Sequence, residues 1–220
     1  MSAGLNADKD YGLCLVTDRG LYRDEGGFVD AVAAALDGGV TAVQLREKGL
    51  PARDLLRLSL ALRGLTKRFR AALIINDRVD IAELCGADGV HLGQRSFSPA
   101  DARGCLGPGA LIGVSTHSLA EALKAQKDGA DYITLGPVYF TPSKAPYGEP
   151  VGIKTLKEVA AGVFVPVYAI GGIKSKNVRE VIGAGARGAA VISAILGAGG
   201  EREKAGKLAG QFLDLFEQKF

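Results

Sequence analysis

Eight short segments along the chain are almost continuously hydrophobic and rich in β-branched and small aliphatic residues. They cover residues 13–17, 42–46, 72–76, 89–92, 111–115, 132–135, 165–170 and 189–193. Segments of this kind are typical of strands that are buried on both faces of a parallel sheet, so we predict eight such strands.

Between these segments, hydrophobic residues recur every three or four positions, which is the period of an amphipathic helix. One such series comprises Leu55, Leu58, Leu62 and Leu65. Several of these stretches end at a glycine suited to a helix C-cap, and Ser98 and Ser118 stand where a helix N-cap is expected. The last predicted helix covers roughly residues 201–218.

Eight consecutive strand–helix pairs with a repeat of about 27 residues predict an α/β fold, a closed (β/α)8 TIM barrel. An open, doubly wound sheet of six strands is the alternative if two of the shorter strands are misassigned. No Pro/Ser-rich linker or charge block divides the chain. We therefore expect one domain over residues 1–220, with 1–10 as a flexible N-terminal tail.

Composition narrows the class of protein. The chain is 47% hydrophobic and 23% charged, as in ordinary globular proteins, and its net charge of +3 is too small to indicate nucleic-acid binding. The three cysteines are odd in number and lack CxxC spacing, so a disulfide framework or a zinc site is not expected. With only two histidines, a multi-His metal site is excluded. Without an apolar run of ~18 residues or a signal peptide, a cytoplasmic protein without a membrane segment is expected.

Polar residues follow the predicted strands, at the end of a barrel where active sites form. Period-two alternation places Gln44, Arg46 and Lys48 on one face of the second strand, towards the barrel interior. Two inward cations favour an anion site, because buried charges need partners and Arg and Lys suit phosphate oxygens. The alternative is a structural ion pair with a carboxylate such as Asp77.

Asn76 and Asp77 emerge at the end of the third predicted strand. Asp77 has two equally good interpretations. Its carboxylate suits Mg²⁺, which takes a few carboxylates together with substrate phosphate oxygens. It also suits an N-cap of the helix that begins near Val79.

Two later segments indicate further anion binding. The loop 136–150 carries Thr141, Ser143 and Lys144 among prolines, which favours a lid over an anion; a surface loop is the alternative. Gly172 and Ser193 follow the seventh and eighth strands, where barrels commonly bind phosphate, although Gly171-Gly172 also fits a simple tight turn.

The order of these motifs resembles that of thiamine-phosphate synthases over nearly the whole chain. The motifs are Gln-Leu-Arg-Glu-Lys at 44–48, Ile-Asn-Asp at 75–77, His-Leu-Gly-Gln at 91–94, Gly-Val-Ser at 113–115, Gly-Pro-Val at 136–138, Thr-x-Ser-Lys at 141–144, Ala-Ile-Gly-Gly-Ile at 169–173 and Ile-Ser at 192–193.

The resemblance implies a transferase that joins a hydroxymethylpyrimidine diphosphate to a thiazole phosphate and releases pyrophosphate. It implies small phosphorylated substrates and Mg²⁺, ligated by Asp77. The pyrimidine diphosphate would contact Gln44, Arg46, Lys48, Asn76, Ser115 and Lys144. The thiazole phosphate would contact Thr141, Ser143, Gly172, Ile192 and Ser193. Of these, Arg46, Lys48, Ser115 and Lys144 would be catalytic.

One position departs from the family pattern. Synthases usually have Gly-Gln-Glu-Asp, whose Asp is a second metal ligand, whereas this chain has Gly93-Gln94-Arg95-Ser96. Ser96 is a poorer Mg²⁺ ligand. The Ser-Phe-Ser-Pro run at 96–99 and the His-Ser at 117–118 also resemble the related thiazole tautomerases, in which a His at the position of His117 serves as acid and base. A non-catalytic thiamine-related binding protein is the third alternative, and a homodimer is compatible with exposed apolar helix positions.

Overall fold

The computed structural model describes residues 12–142, 148–197 and 202–217. The strands are β1 Leu13–Val16, β2 Ala42–Leu45, β3 Ala72–Asn76, β4 Gly89–Leu92, β5 Leu111–Thr116, β6 Tyr132–Leu135, β7 Val167–Ile170 and β8 Gly188–Val191. The helices are α1 Glu25–Asp37, α2 Ala52–Arg68, α3 Val79–Cys85, α4 Pro99–Leu106, α5 Leu119–Lys127, α6 Gly152–Gly162, α7 Val178–Gly183, α8 Ser193–Leu196 and α9 Arg202–Glu217. A turn of 3₁₀ helix, Arg19–Leu21, follows β1.

The eight strands form a closed parallel barrel in sequence order. Each strand pairs with the next, as where Val16 lies opposite Gln44, and β8 returns to β1, where Ala189 lies opposite Leu13. This closure confirms the predicted (β/α)8 barrel and excludes the open sheet, in which the first and last strands would not meet.

Alternation along the strands divides the hydrophobic residues into two layers. Leu13, Leu15, Val43 and Leu45 belong to a large cluster that includes buried residues of the helices. Residues at the alternate positions face the barrel interior, where Ala42, Ala72 and Ile74 form a separate, much smaller cluster. The barrel wall is therefore stabilised mainly on its outer face, and the interior has room for polar side chains.

Five strands differ from the predicted bounds: β1 and β2 end one residue earlier, at Val16 and Leu45, β8 begins one residue earlier, at Gly188, and β5, β7 and β8 each differ at one further end. β7 begins at Val167 rather than 165, because Pro166 has no N–H and the N–H of Val165 donates to Gln126 Oε1. β5 extends to Thr116, and β8 ends at Val191. Residues 192 and 193 lie outside the strand because the chain leaves the extended conformation at Ile192, and Ser193 begins the unpredicted helix α8.

The predicted helix caps are confirmed at the two serines. The Ser98 hydroxyl accepts the N–H of Asp101, whose carboxylate accepts in turn from Ser98, and Ser118 accepts the N–H of Glu121. Asp77, in contrast, is not the cap of α3. The cap position is Arg78, and Asp77 itself has a left-handed φ of 69°.

At the amino ends of the strands, an aspartate recurs as a structural link. Asp88, just before β4, accepts hydrogen bonds from the N–H of Leu73 and from Arg63. Asp131, just before β6, does the same with Ile112 and Arg103. These links occupy the end of the barrel opposite the predicted site. Among the described residues, no helix combines the length and apolar character needed to cross a membrane.

Candidate active site

The barrel interior is lined by neutral side chains and is nearly full. A cavity of about 20 Å³ lies among Cys14, Gln44, Tyr132, Thr134 and Tyr168. It has room for little more than one water molecule. Anything larger must therefore bind above it, at the mouth formed by the carboxyl ends of the strands.

Gln44, Arg46 and Lys48, on or just after the second strand, differ in how deeply their side chains are buried. Gln44 is buried and faces the interior, Arg46 is half-buried just beyond β2, and Lys48 is exposed in the turn that follows. The prediction that all three share one inward face is therefore wrong for Lys48, because the strand ends at Leu45 and its alternation ends there too.

Arg46 and Lys48 are not part of a structural ion pair. Within residues 12–142, 148–197 and 202–217, none of the ion pairs involves either side chain. The carboxylate of Asp77 accepts instead from the Ser96 hydroxyl. The alternative of a structural ion pair between these cations and Asp77 is thus wrong, and neither cation is neutralised by an ion pair within the described residues.

The loops after β3 and β4 are joined through Asp77. Its N–H donates to the carbonyl of His91 over 2.9 Å, and its side chain accepts from Ser96. Ser96 is held in turn by the N–H of Gly93, which donates to Oγ over 2.7 Å. Ser96 therefore lies beside Asp77, at the position where the resemblance places a second metal ligand.

The donors at this edge fit Mg²⁺ with substrate oxygens as further ligands. Asp77 is exposed and supplies a carboxylate, and the half-buried Asn76 and Ser96 supply neutral oxygens. The described part of the chain holds no group of three or more His, Cys, Asp and Glu side chains suited to a metal. Among the described residues, the carboxylates at this edge are too few for a tight Mg²⁺ site without oxygen ligands from the substrate.

A buried histidine for which the sequence predicted no role lies on β4 and faces the barrel interior. His91, only 3% exposed, places Nε2 2.9 Å from Ser115 Oγ and 3.3 Å from Thr134 Oγ1. Its Nδ1 lies 3.2 Å from the hydroxyl of Tyr132. Burial lowers the pKa of His91 to about 4, so the imidazole is neutral at physiological pH. Its inward position in the His-Leu-Gly-Gln motif was the available signal.

The other histidine belongs to the rim. His117 is exposed, and both its N–H and its Nδ1 contact Glu121 Oε2, at 2.7 and 2.9 Å. Gln94 Nε2 donates to the carbonyl of Ser115 over 2.6 Å and lies 3.3 Å from the same carboxylate. Glu121 and Gln94 thus tie the β4–α4 loop to the end of β5, next to Ser115.

The loop after β6 packs against the end of β7. The N–H groups of Val138 and Tyr139 donate to the carbonyls of Ile170 and Gly171. Gly172 has a φ of 66°, and a Cβ there would lie 2.6 Å from the carbonyl oxygen of Phe140. Glycine at 172 is therefore required by the close approach of this loop, which supports the tight-turn interpretation of Gly171-Gly172.

The remaining predicted contacts for the thiazole phosphate follow β6 and β8. Thr141 is half-buried in the β6–α6 loop, Ile192 follows β8, and Ser193 is exposed at the first position of α8. Ser143 and Lys144 lie outside the described residues.

The chain is similar in sequence to proteins named thiamine-phosphate synthases. The family model described as "Thiamine monophosphate synthase" matches residues 13–195. A putative thiamine-phosphate synthase of Geobacter sulfurreducens is 54% identical over 201 residues, covering 90% of this chain and 93% of that protein. A thiamine-phosphate synthase of Methanoculleus marisnigri is 46% identical, with 86% and 89% covered.

The fold agrees with a solved structure of the same kind. Thiamine phosphate pyrophosphorylase from Pyrococcus furiosus superimposes with a TM-score of 0.84 at 39% sequence identity, covering 95% of this chain and 96% of that one. The family match extends from β1 into α8 and so includes all eight strand ends. The chain belongs to the thiamine monophosphate synthase family.

Proposed function

We propose that the protein is a thiamine-phosphate synthase, a transferase of thiamine biosynthesis. It joins 4-amino-2-methyl-5-hydroxymethylpyrimidine diphosphate to 4-methyl-5-(2-hydroxyethyl)thiazole phosphate and releases pyrophosphate. The observation that carries this proposal is the pair of cations, Arg46 and Lys48, which form no ion pair within the described residues and follow β2, the strand that pairs with β3 and so neighbours the strand end at Asp77. The names of the relatives give the product, thiamine phosphate, and the resemblance to the family implies the two substrates.

The chemistry requires stabilisation of an anion more than acid–base catalysis. When pyrophosphate leaves the benzyl-like carbon of the pyrimidine, the aminopyrimidine ring stabilises the cation that remains. The rate then depends on stabilising the departing charge, which Arg46, Lys48 and Lys144 would do with positively charged donors. The thiazole nitrogen then attacks the carbon, and no protein nucleophile is needed.

The neutral interior suits the other half of this reaction. Positive charge develops on the pyrimidine, and a cationic side chain beneath it would oppose that development. His91 is neutral because burial lowers its pKa to about 4, and the residues that line the interior cavity, among them Gln44 and Tyr168, carry no charge. We infer that Gln44, Asn76 and Ser115 bind the pyrimidine diphosphate above this interior.

Magnesium is proposed at Asp77, with diphosphate oxygens completing its ligands. When bound, Mg²⁺ would neutralise part of the diphosphate charge and so favour the departure of pyrophosphate. Ser96 hydrogen-bonds to the proposed ligand and contributes no second negative charge. We therefore expect metal binding that depends strongly on the diphosphate.

The thiazole phosphate is assigned to the ends of β6, β7 and β8. Thr141, Ser143, Gly172, Ile192 and Ser193 are the proposed contacts. Gly172 lies against Tyr139 and Phe140 of the β6–α6 loop, which also carries Thr141. The tautomerase and binding-only alternatives are not favoured, since the similar curated proteins are named synthases. A cytoplasmic location and a homodimer stay predictions.

Product formation tests the proposal directly. Purified protein with both substrates and Mg²⁺ should release pyrophosphate and form thiamine phosphate, detected by chromatography. We expect Arg46→Ala and Lys48→Ala each to lower kcat/KM for the diphosphate by at least about tenfold, or roughly 1.4 kcal/mol. Arg57→Ala is the matched control, because Arg57 forms an exposed ion pair with Glu25 on the outer helices. The absence of product at every Mg²⁺ concentration would refute the proposal.

A further inference from the structure

Thr17 lies at the carboxyl end of β1 and is completely buried, although its side chain is polar. Its N–H donates to the carbonyl of Gln44 over 2.9 Å and so extends the pairing between β1 and β2 by one residue. A buried hydroxyl needs hydrogen-bond partners. Those of Thr17 come from the loop that follows β2.

Three hydrogen bonds connect the two strand ends. Thr17 Oγ1 donates to Glu47 Oε1 over 2.6 Å and accepts the N–H of Arg46 over 2.9 Å. Glu47 Oε1 also accepts the N–H of Arg19 over 3.1 Å. We call Thr17 and Glu47, with these three bonds, the Thr17–Glu47 anchor.

Within the anchor, the carboxylate of Glu47 forms hydrogen bonds that do not involve the side chains of Arg46 and Lys48. Glu47 is half-buried, and burial raises the pKa of its carboxyl group. No ion pair joins it to Arg46 or Lys48 within the described residues. Its carboxylate bonds a hydroxyl and a backbone N–H instead, so the residue between the two cations does not neutralise them.

Fixing this loop has a direct consequence for anion binding. Arg46 follows β2 immediately, and Lys48 lies two residues further on in an exposed turn. A free loop would lose conformational entropy when both cations bind one anion, whereas an anchored loop has lost most of it on folding. The anchor holds the backbone of Arg46 at the point where the loop leaves the barrel.

We propose that Thr17 and Glu47 are positioning residues that preorganise Arg46 and Lys48 for the diphosphate group of the substrate. The choice of a diphosphate rests on the proposed function. Neither Thr17 nor Glu47 needs to touch the substrate.

The same pair of strands offers a matched control at its other end. Thr41, just before β2, donates through Oγ1 to the carbonyl of Leu13 over 3.2 Å and accepts the N–H of Leu13 over 3.4 Å. Its hydroxyl thus links β1 to β2 at the amino end, far from the two cations. Thr41→Val removes a link of the same chemistry without changing the anion-binding loop.

Binding of inorganic pyrophosphate, measured by calorimetry with Mg²⁺ present, tests the proposal independently of turnover. We expect Thr17→Val and Glu47→Ala each to raise Kd by about tenfold, as expected for one or two lost hydrogen bonds. Thr17→Ser and Glu47→Gln, which keep the hydroxyl and the acceptor oxygen, should restore wild-type affinity. Thr41→Val should leave affinity unchanged.

Kinetics add a readout that general destabilisation does not explain. Thr17→Val and Glu47→Ala should raise KM for the pyrimidine diphosphate and leave KM for the thiazole phosphate unchanged. The proposal is overturned if wild-type protein binds no pyrophosphate, if Thr17→Val and Glu47→Ala bind it normally, if the conservative variants fail to restore affinity, or if Thr41→Val weakens binding equally. Selective loss of pyrophosphate affinity in a protein without synthase activity would support the anchor and refute only the proposed function.

Discussion

The Nε2 atom of His91 lies 2.9 Å from the Oγ atom of Ser115, between neighbouring strands of the barrel. The histidine is buried under the residues proposed to bind the pyrimidine, and Ser115 is the point at which its hydrogen bonds meet that surface. The contact therefore couples the protonation of a core residue to the position of a proposed substrate ligand.

Stability should fall in mild acid because of His91. Its pKa is about 4 in the folded protein and ~6.5 in an unfolded chain, so unfolding takes up a proton between these values. This contribution is present above pH 6.5 and is lost as pH falls towards 4, amounting to about 3 kcal/mol. Urea unfolding at pH 7 and pH 4.5 measures the change.

The His91→Gln variant isolates this contribution. Glutamine keeps a polar group near Ser115 without titrating, so the variant should lose less stability than wild type between the two pH values. An equal loss in wild type and His91→Gln would contradict the assignment.

Gly113→Ala should disturb the same histidine by crowding. A Cβ at residue 113 would lie 2.1 Å from Tyr132 Cζ and 2.6 Å from His91 Nδ1. Overpacking of this kind costs about 1–3 kcal/mol, and displacement of His91 should also lower kcat/KM. Thermal unfolding and steady-state kinetics provide the measurements.

Gly104→Ala, at the protein surface, is the matched control for Gly113→Ala. Gly104 lies inside α4, and nothing approaches within 4 Å of a Cβ built there. This substitution should stabilise the protein by about 0.5–1 kcal/mol without affecting activity. If both alanine variants behaved alike, crowding at Gly113 would not be the reason for glycine there.

Ser96→Asp should strengthen metal binding. The Ser96 hydroxyl already contacts the Asp77 carboxylate, so an aspartate there would place a second negative oxygen ligand beside the first. We expect Kd for Mg²⁺, titrated with pyrophosphate present, to fall by about tenfold. Ser96→Asn, neutral and of similar size, should not produce this gain. Unchanged affinity in Ser96→Asp would count against Asp77 as a ligand.

Asp88→Ala should destabilise the fold without changing substrate affinity. Removal of Asp88 deprives Leu73 N–H of its acceptor and leaves Arg63, largely buried, without its partner. Breaking such a pair costs about 3 kcal/mol. Because Asp88 lies at the amino end of β4, both KM values should stay at wild-type levels. A raised KM for either substrate would show that the two ends of the barrel are coupled.

The sequence alone predicted the barrel because each buried strand is visible in its own residues, as a short run of aliphatic side chains. Residues 72–76, 89–92 and 132–135 are strands with the predicted bounds, since each aliphatic run is buried on both faces. The helix caps at Ser98 and Ser118 were equally predictable, because a cap depends on residues only three positions apart. The short helix α8 left no such pattern, because four residues are too few to show a helical period.

Side-chain placement at the strand ends was less predictable. Alternation assigned Gln44 to the interior but failed at Lys48, because the chain leaves the strand after Leu45. Asp77 looked like a helix cap, yet a left-handed φ turns its carboxylate towards Ser96. Local periodicity stops being informative where regular structure ends.

What the sequence by itself determined is the order of the strands, the helices between them and the end of the barrel that carries the polar residues. Only the tertiary structure decided the contacts: β1 with β8, His91 with Ser115 across 24 residues, and Thr17 with Glu47 across 30. These depend on the register between strands and on closure of the barrel. Hydrophobic periodicity records which face of a strand is buried, but it contains no information on the residue that lies opposite.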